Sequence, residues 1–181
     1  GEQDDLYSAV IATTRSRFFW LLIHLLAAIA ASYVISFFVG TIEEMVALAV
    51  LMPIVATMGG TASVQALTVA VRGIAMKELT VSNALRAVCK EVIVGMLNGL
   101  LFASLIGVVA WAWFGSPALG GVIGMAIVIN LTVAGFSGSA LPVLLQRLGF
   151  DPAVASTAFL TSITDVVGFY VFLGLAAFLL L

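Results

Sequence analysis

A single carboxylate interrupts a long apolar stretch near the end of the chain. Asp165, in the sequence TSITDVVGFY, is the only charged residue in positions 152–181. Thr157, Thr161 and Gly168 are spaced at four and three residues around it, which places all four residues on one face of a helix. Carboxylate and hydroxyl oxygens are ligands for hard divalent cations. The spacing therefore predicts a polar stripe that carries an ion-binding acid.

The composition indicates a membrane protein. The chain has 181 residues, of which 63% are hydrophobic and 9% charged, whereas an average soluble domain is about a quarter charged. A membrane-spanning helix needs about 20 apolar residues, and five such stretches occur. The prediction is an all-α polytopic membrane protein with spans at about 18–39, 45–71, 92–114, 119–145 and 152–181. The net charge of −2 and the lack of a basic run argue against nucleic acid as a partner.

The basic residues predict the orientation in the membrane. With five spans, all seven fall on one side: Arg15, Arg17, Arg72, Lys77, Arg86, Lys90 and Arg147. The positive-inside rule then places the N-terminus in the cytoplasm and the C-terminus outside. We therefore expect a multi-pass protein of the cell membrane, in contact with lipid.

An acid at membrane depth usually faces an ion pathway or a charged partner. No Lys or Arg occurs within the predicted spans, so a structural ion pair for Asp165 has no evident partner. A protonated aspartate bonded to a neighbour and a proton relay are alternatives. We favour an ion pathway, because the acid lies on a polar stripe.

The second span contains Pro53 and the pair Gly59-Gly60. The glycines suit close helix packing or the lining of a pore, and Pro53 favours a locally opened helix.

In the 72–91 connection, apolar and charged residues alternate, which predicts a short interfacial helix. Asp151 is predicted to be the N-cap of the fifth span, and Pro152 its first helical residue.

Small and polar residues predict contacts between the helices. Asn98 and Asn130 are expected to bond across helices in a structural role. Glycines in the third and fourth spans are expected to allow close helix contacts: Gly107, Gly115, Gly120, Gly121, Gly124, Gly135 and Gly138.

Two stretches, LMPIVATMGGTASVQALTVAVRGIAMKELT and DPAVASTAFLTSITDVVGFYVFLGLA, resemble the membrane domain of the MgtE family of magnesium channels and their solute-carrier relatives. The resemblance implies a homodimer with a pore on the two-fold axis, lined by spans two and five. The family's pore aspartate corresponds to Asp165, and the pore-facing position one turn earlier to Thr161. The family's glycine-rich bend corresponds to five residues: Gly59, Gly60, Thr61, Ala62 and Ser63.

The resemblance also predicts the organisation of the chain. Residues 1–16 are expected to form a cytoplasmic connecting segment, and residues 17–181 the five-helix pore domain. Family members commonly carry a cytoplasmic N-terminal domain and a CBS pair that regulate the pore; the two alternatives are that these domains belong to a longer form of this protein or that the chain is a short relative.

The expected function is a Mg²⁺ channel that moves the ion into the cytoplasm down its electrochemical gradient, with Mg²⁺ bound in the pore at Asp165 and Thr161. The five bend residues, Thr157 and Gly168 are the further candidates for pore lining. The alternative is a secondary exchanger that couples a divalent cation to Na⁺ or H⁺. A structural scaffold leaves Asp165 unexplained, and no catalytic constellation indicates an enzyme.

Overall fold

The computed structural model describes residues 2–181, with only the backbone described for Glu2 and for residues 154–156. Within these residues the chain is helical and contains no strand. The helices are α1 (Glu2–Ser36), α2 (Val39–Glu44), α3 (Ala47–Ala75), α4 (Ala84–Phe114), α5 (Pro117–Arg147) and α6 (Pro152–Leu179). All except α2 are long and apolar enough to cross a membrane. The predicted all-α fold with five spans is confirmed.

Local sequence determines where the last two spans begin. Ser116 caps α5 by accepting a hydrogen bond from the Leu119 N–H at 3.2 Å. Asp151 caps α6 by accepting one from the Ala153 N–H at 2.9 Å. A proline occupies the first turn of each helix, where its missing N–H costs nothing. The predicted cap at Asp151 is confirmed.

Helix α5 is the centre of the bundle. It packs against α3, α4 and α6, whereas α1 packs mainly on α6. The buried core is aliphatic and aromatic, with fully buried side chains on α3, α5 and α6: Leu48, Leu51, Ile123, Ile127, Phe172 and Leu173. This arrangement leaves one side of α3 facing α6 and the other side facing α4.

Small residues allow α4 and α5 to approach closely. A Cβ added to Gly99 would lie 2.9 Å from the Val128 Cα, and one added to Gly107 would lie 3.2 Å from the Gly120 carbonyl. A Cβ added to Gly138 would lie 2.8 Å from the Ala66 Cβ of α3. The predicted close contacts are confirmed at Gly107, Gly120, Gly124, Gly135 and Gly138, whereas the contact at Gly99 was not predicted. Gly121 faces open space instead, and Gly115 ends α4 in the left-handed conformation at φ 69°.

The predicted interfacial helix between residues 72 and 91 is wrong. Helix α3 continues to Ala75 and α4 begins at Ala84, so most of the charged residues lie on the ends of these two helices. The turn between them is held by the N–H groups of Glu78 and Leu79, which both donate to the Gly73 carbonyl at 2.9 Å. Alternating apolar and charged residues also occur where a membrane-spanning helix extends beyond its apolar segment.

The predicted opening of the second span is also wrong, because α3 is continuous through Pro53 and both glycines. Pro53 lies in the second turn, where it removes only the hydrogen bond to the Ala49 carbonyl. Helix α1 is likewise continuous across the predicted boundary between residues 16 and 17. The division into a connecting segment and a pore domain stays a prediction.

Candidate ion-binding groove

Helices α3 and α6 form an open groove at the level of Asp165. The groove has a volume of about 520 Å³. Helix α6 contributes Thr161 and Asp165, one turn apart. The lining from α3 is small or polar: Ala56, Thr57, Gly60, Thr61, Val64 and Gln65. The structure thus brings together four of the predicted site residues, namely the two on α6 with Gly60 and Thr61.

Asp165 is half-buried and lies near the middle of α6. In the part of the chain that the structure describes, its carboxylate makes neither an ion pair nor a hydrogen bond. No basic residue lines the described groove. Placing a carboxylate without a counter-charge at this depth costs free energy. A cation bound in the groove would offset that cost.

The hydroxyl of Thr161 is oriented by its own helix. It donates a hydrogen bond to the Thr157 carbonyl at 2.9 Å. Its proton is thereby committed to the backbone, and the oxygen retains only acceptor capacity. An acceptor next to a carboxylate suits a cation, or the water that a cation carries.

The remaining predicted site residues lie outside the groove. Gly59 and Gly168 are buried on either side of the Asn130 side chain of α5. Ser63 is buried and donates to the Gly60 carbonyl at 2.8 Å. Ala62 faces a separate cleft between α3 and α4. Thr157 contributes its carbonyl to the hydrogen bond with Thr161.

Asn130 connects the two walls of the groove to α5. It is fully buried, and its Nδ2 donates to the Val55 carbonyl of α3 at 3.1 Å. A Cβ added to Gly168 of α6 would lie 2.7 Å from the same nitrogen. The predicted structural role of Asn130 across helices is confirmed. In contrast, Asn98 makes no interhelical hydrogen bond within the described residues and faces the α3–α4 cleft.

Four further groove residues on α3 were not predicted from the sequence: Ala56, Thr57, Val64 and Gln65. Their spacing to Gly60 and Thr61 follows the helical period of 3.6, so all of them lie on one side of α3. The pattern was visible in the sequence, but small side chains on an apolar helix also suit packing between helices.

One chain alone offers a weak cation site. No group of three or more His, Cys, Asp or Glu side chains within the described residues could hold a metal ion. The groove supplies one carboxylate, one hydroxyl acceptor on α6, and further polar groups on α3. Such a set can attract a hydrated divalent cation, but it cannot replace its water shell.

Comparisons with known proteins give the family. Residues 52–175 match the family model of MgtE, described as a divalent cation transporter. The chain is 36% identical over 158 residues to "Magnesium transporter MgtE" of Enterococcus faecalis, which covers 87% of this chain and 35% of that protein. It is 34% identical over 171 residues to the protein of the same name from Thermus thermophilus, or 94% of this chain and 38% of that protein. The chain therefore spans little more than a third of the length of these relatives. Since the family model covers more than half of the sequence, the chain belongs to the MgtE family.

Proposed function

We propose that this chain forms half of a Mg²⁺-conducting pore, with Asp165 as the ion-binding residue. The observation that carries the proposal is the open groove between α3 and α6, in which Asp165 has no counter-charge among the described residues. The family's description as divalent cation transporters supports a cation as cargo. The relatives named magnesium transporters support Mg²⁺ as that cation.

A second copy of the chain is the natural cover for the groove. The groove side of α3 is exposed at Pro53, Thr57, Thr61 and Val64, and lipid is a poor neighbour for the adjacent carboxylate. A two-fold axis would place the same surface of a partner opposite. The polar groups of both copies would then line one shared path, shielded from lipid.

Two facing carboxylates match a divalent ion. They repel each other unless a cation lies between them, and together they supply two negative charges. Mg²⁺ releases its water reluctantly and is often bound through few carboxylates with several waters retained. The Thr161 oxygens, with their protons held by the Thr157 carbonyls, would accept hydrogen bonds from these waters. Binding of this kind is weak enough to let the ion leave, as conduction requires.

The pore acts as a channel that lets Mg²⁺ flow inward along its concentration gradient and the membrane potential. The N-terminus lies in the cytoplasm and the C-terminus outside, because the basic residues then face the cytoplasm. The protein works in the cell membrane.

The test is Mg²⁺ uptake into liposomes that contain the purified protein and a fluorescent Mg²⁺ indicator. Asp165→Asn removes the charge with little change in volume. At 4 Å and an effective dielectric constant of 20, each pair of unit charges contributes about 4 kcal/mol, so we expect uptake to fall at least about tenfold. Asp5→Asn, which neutralises an exposed acid on α1, should leave uptake unchanged. Wild-type uptake by Asp165→Asn would refute the proposal.

A further inference from the structure

A second cleft lies between α3 and α4, and it shares Thr61 and Gln65 of α3 with the groove that contains Asp165. Both helices pack on α5 but hardly touch each other. Two neighbouring cavities of about 540 and 600 Å³ lie in the gap and share Val69, Lys90 and Glu91 in their walls. We call this space the α3–α4 cleft. Its lining is mostly apolar and extends from Met58 to Arg72 along α3.

One end of the cleft is basic. Arg72, Arg86 and Lys90 line it together with Glu78 and Glu91. Within the described residues none of these five side chains forms an ion pair. The three cations and two carboxylates together carry a net charge of +1. This charge complements the single negative charge of one phosphodiester.

The length of the cleft matches one leaflet of a bilayer. Helix α3 rises about 21 Å between Met58 and Arg72, at 1.5 Å per residue. One leaflet contributes about 15 Å of hydrocarbon. A ligand with a phosphate at the basic end would thus reach the middle of the bilayer with its apolar part.

We propose that the α3–α4 cleft binds one anionic phospholipid, with its phosphate at Arg72, Arg86 and Lys90 and an acyl chain along the cleft. Basic pockets between membrane helices are suited to anionic headgroups. The lipid supplies the apolar contacts that α3 and α4 do not make with each other. Because α3 also lines the groove with Asp165, the bound lipid contacts a pore-lining helix.

Native mass spectrometry of the purified protein tests the headgroup contacts. The protein is titrated with phosphatidylglycerol, which is anionic, and with zwitterionic phosphatidylcholine. Each cation near a headgroup contributes about fivefold to binding, so Arg86→Gln combined with Lys90→Gln should weaken phosphatidylglycerol binding about 25-fold. Phosphatidylcholine binding should stay unchanged. The control pair Arg15→Gln and Arg17→Gln, basic positions outside the cleft, should bind both lipids as the wild type does.

A second pair of variants tests the acyl-chain contacts. Asn98 lines the cleft, whereas the adjacent Leu97 is exposed and does not. Asn98→Trp should reduce phosphatidylglycerol binding about tenfold by filling the cleft, and Leu97→Trp should not. If Asn98→Trp fails to fold, as judged by circular dichroism and gel filtration, Val94→Trp replaces it, since Val94 lines the same cleft.

Three results would overturn the proposal. The double Gln variant could bind phosphatidylglycerol as tightly as the wild type. Inorganic phosphate could displace the lipid at equal concentration, which would indicate a site for a free anion. The Trp variants in the cleft could leave lipid binding intact, which would place the lipid elsewhere and leave the cleft to a second copy of the chain.

Discussion

At the scale of single residues, hydrogen bonds between a side chain and its own helix determine what the groove presents. The Thr161 hydroxyl is one such case, since its proton is bound to the Thr157 carbonyl. The Thr68 hydroxyl makes the same bond to the Val64 carbonyl at 2.8 Å, but Thr68 is outside the groove. The two residues therefore share a local geometry and differ in their position relative to Asp165.

This pair allows a direct test of the hydroxyl acceptor. Thr161→Val keeps the shape and removes the oxygen, so one hydrogen bond to the hydrated ion is lost on each copy. At about 1 kcal/mol for each bond, we expect Mg²⁺ uptake into liposomes to fall about fivefold or more, and Thr161→Ser to restore most of it. Thr68→Val should have no effect. Equal losses in Thr161→Val and Thr68→Val would show that the hydroxyls act on helix structure and not on the ion.

Asn130 has a different role, since it joins three helices behind the groove. Its Nδ2 is bonded to the Val55 carbonyl, while its Oδ1 is buried without a partner among the described residues. Removing the side chain loses the bond and leaves a cavity, whereas a leucine fills the space and also removes the unpaired oxygen.

We therefore expect Asn130→Ala to lower the free energy of unfolding by about 2 kcal/mol, since interhelical hydrogen bonds in membranes are worth about 0.6 kcal/mol and the cavity adds the rest. Asn130→Leu should cost less. Denaturant titrations in detergent micelles, followed by circular dichroism, measure both. A larger loss for leucine than for alanine would show that the space between Gly59 and Gly168 is too tight for a branched side chain.

At the scale of helices, the sequence predicted the number of spans and the cap at Asp151, because length, apolarity and capping chemistry are local properties. It did not predict which way each helix faces. Helix α3 is largely apolar on all sides, so its period cannot tell the groove side from the α3–α4 cleft. Gly59 and Gly60 are neighbours, but one is buried against Asn130 and the other faces the groove. Only the packing of α5 distinguishes them.

The same limit explains the wrong predictions around residues 72–91 and at Pro53. Charge marks where a chain meets the interface, but a span that extends past the lipid core and a helix that lies on its surface have similar compositions. Proline weakens a helix by a few kcal/mol, and the packing of Leu51 and Val55 on both sides of Pro53 maintains α3.

Two glycines of the α4–α5 pair offer a matched test of close packing. Gly99→Ala would push a methyl group against the Val128 backbone at 2.9 Å, whereas Gly121→Ala would point into open space. We expect Gly99→Ala to destabilise the protein by about 1–3 kcal/mol through overpacking. Gly121→Ala should stabilise it by up to about 1 kcal/mol, the helix-propensity difference between glycine and alanine. Thermal unfolding in detergent compares them, and equal shifts would contradict the observed helix contact.

At the scale of the whole molecule, the proposal of a second copy rests on the surface of the groove. Its polar surface lies beside exposed apolar residues of α3 such as Val50 and Val64, and Asp165 has no counter-charge within the described chain. The α3–α4 cleft, which meets the groove at Thr61 and Gln65, ends in cations that form no ion pair within the described residues. The two surfaces thus differ in charge, and this difference is why we propose a cation shared with a second copy for the acidic one and a phospholipid for the basic one.

The arrangement of two copies can be tested by cross-linking in membranes. The native Cys89 is exposed, so both cross-linking variants carry Cys89→Ser. A thiol is then placed on the groove side of α3 by Thr57→Cys or by Val64→Cys. On a two-fold axis each thiol faces its own copy, so a short bismaleimide should give a covalent dimer. A direct disulfide is a poorer probe, because it needs Cα atoms within about 7 Å and a hydrated ion must pass between the helices. Leu101→Cys, which is 66% exposed on α4, should remain monomeric at the same protein density. Dimers from Leu101→Cys but not from the α3 variants would place the interface on α4, and the groove would then have to bind its cation with one carboxylate.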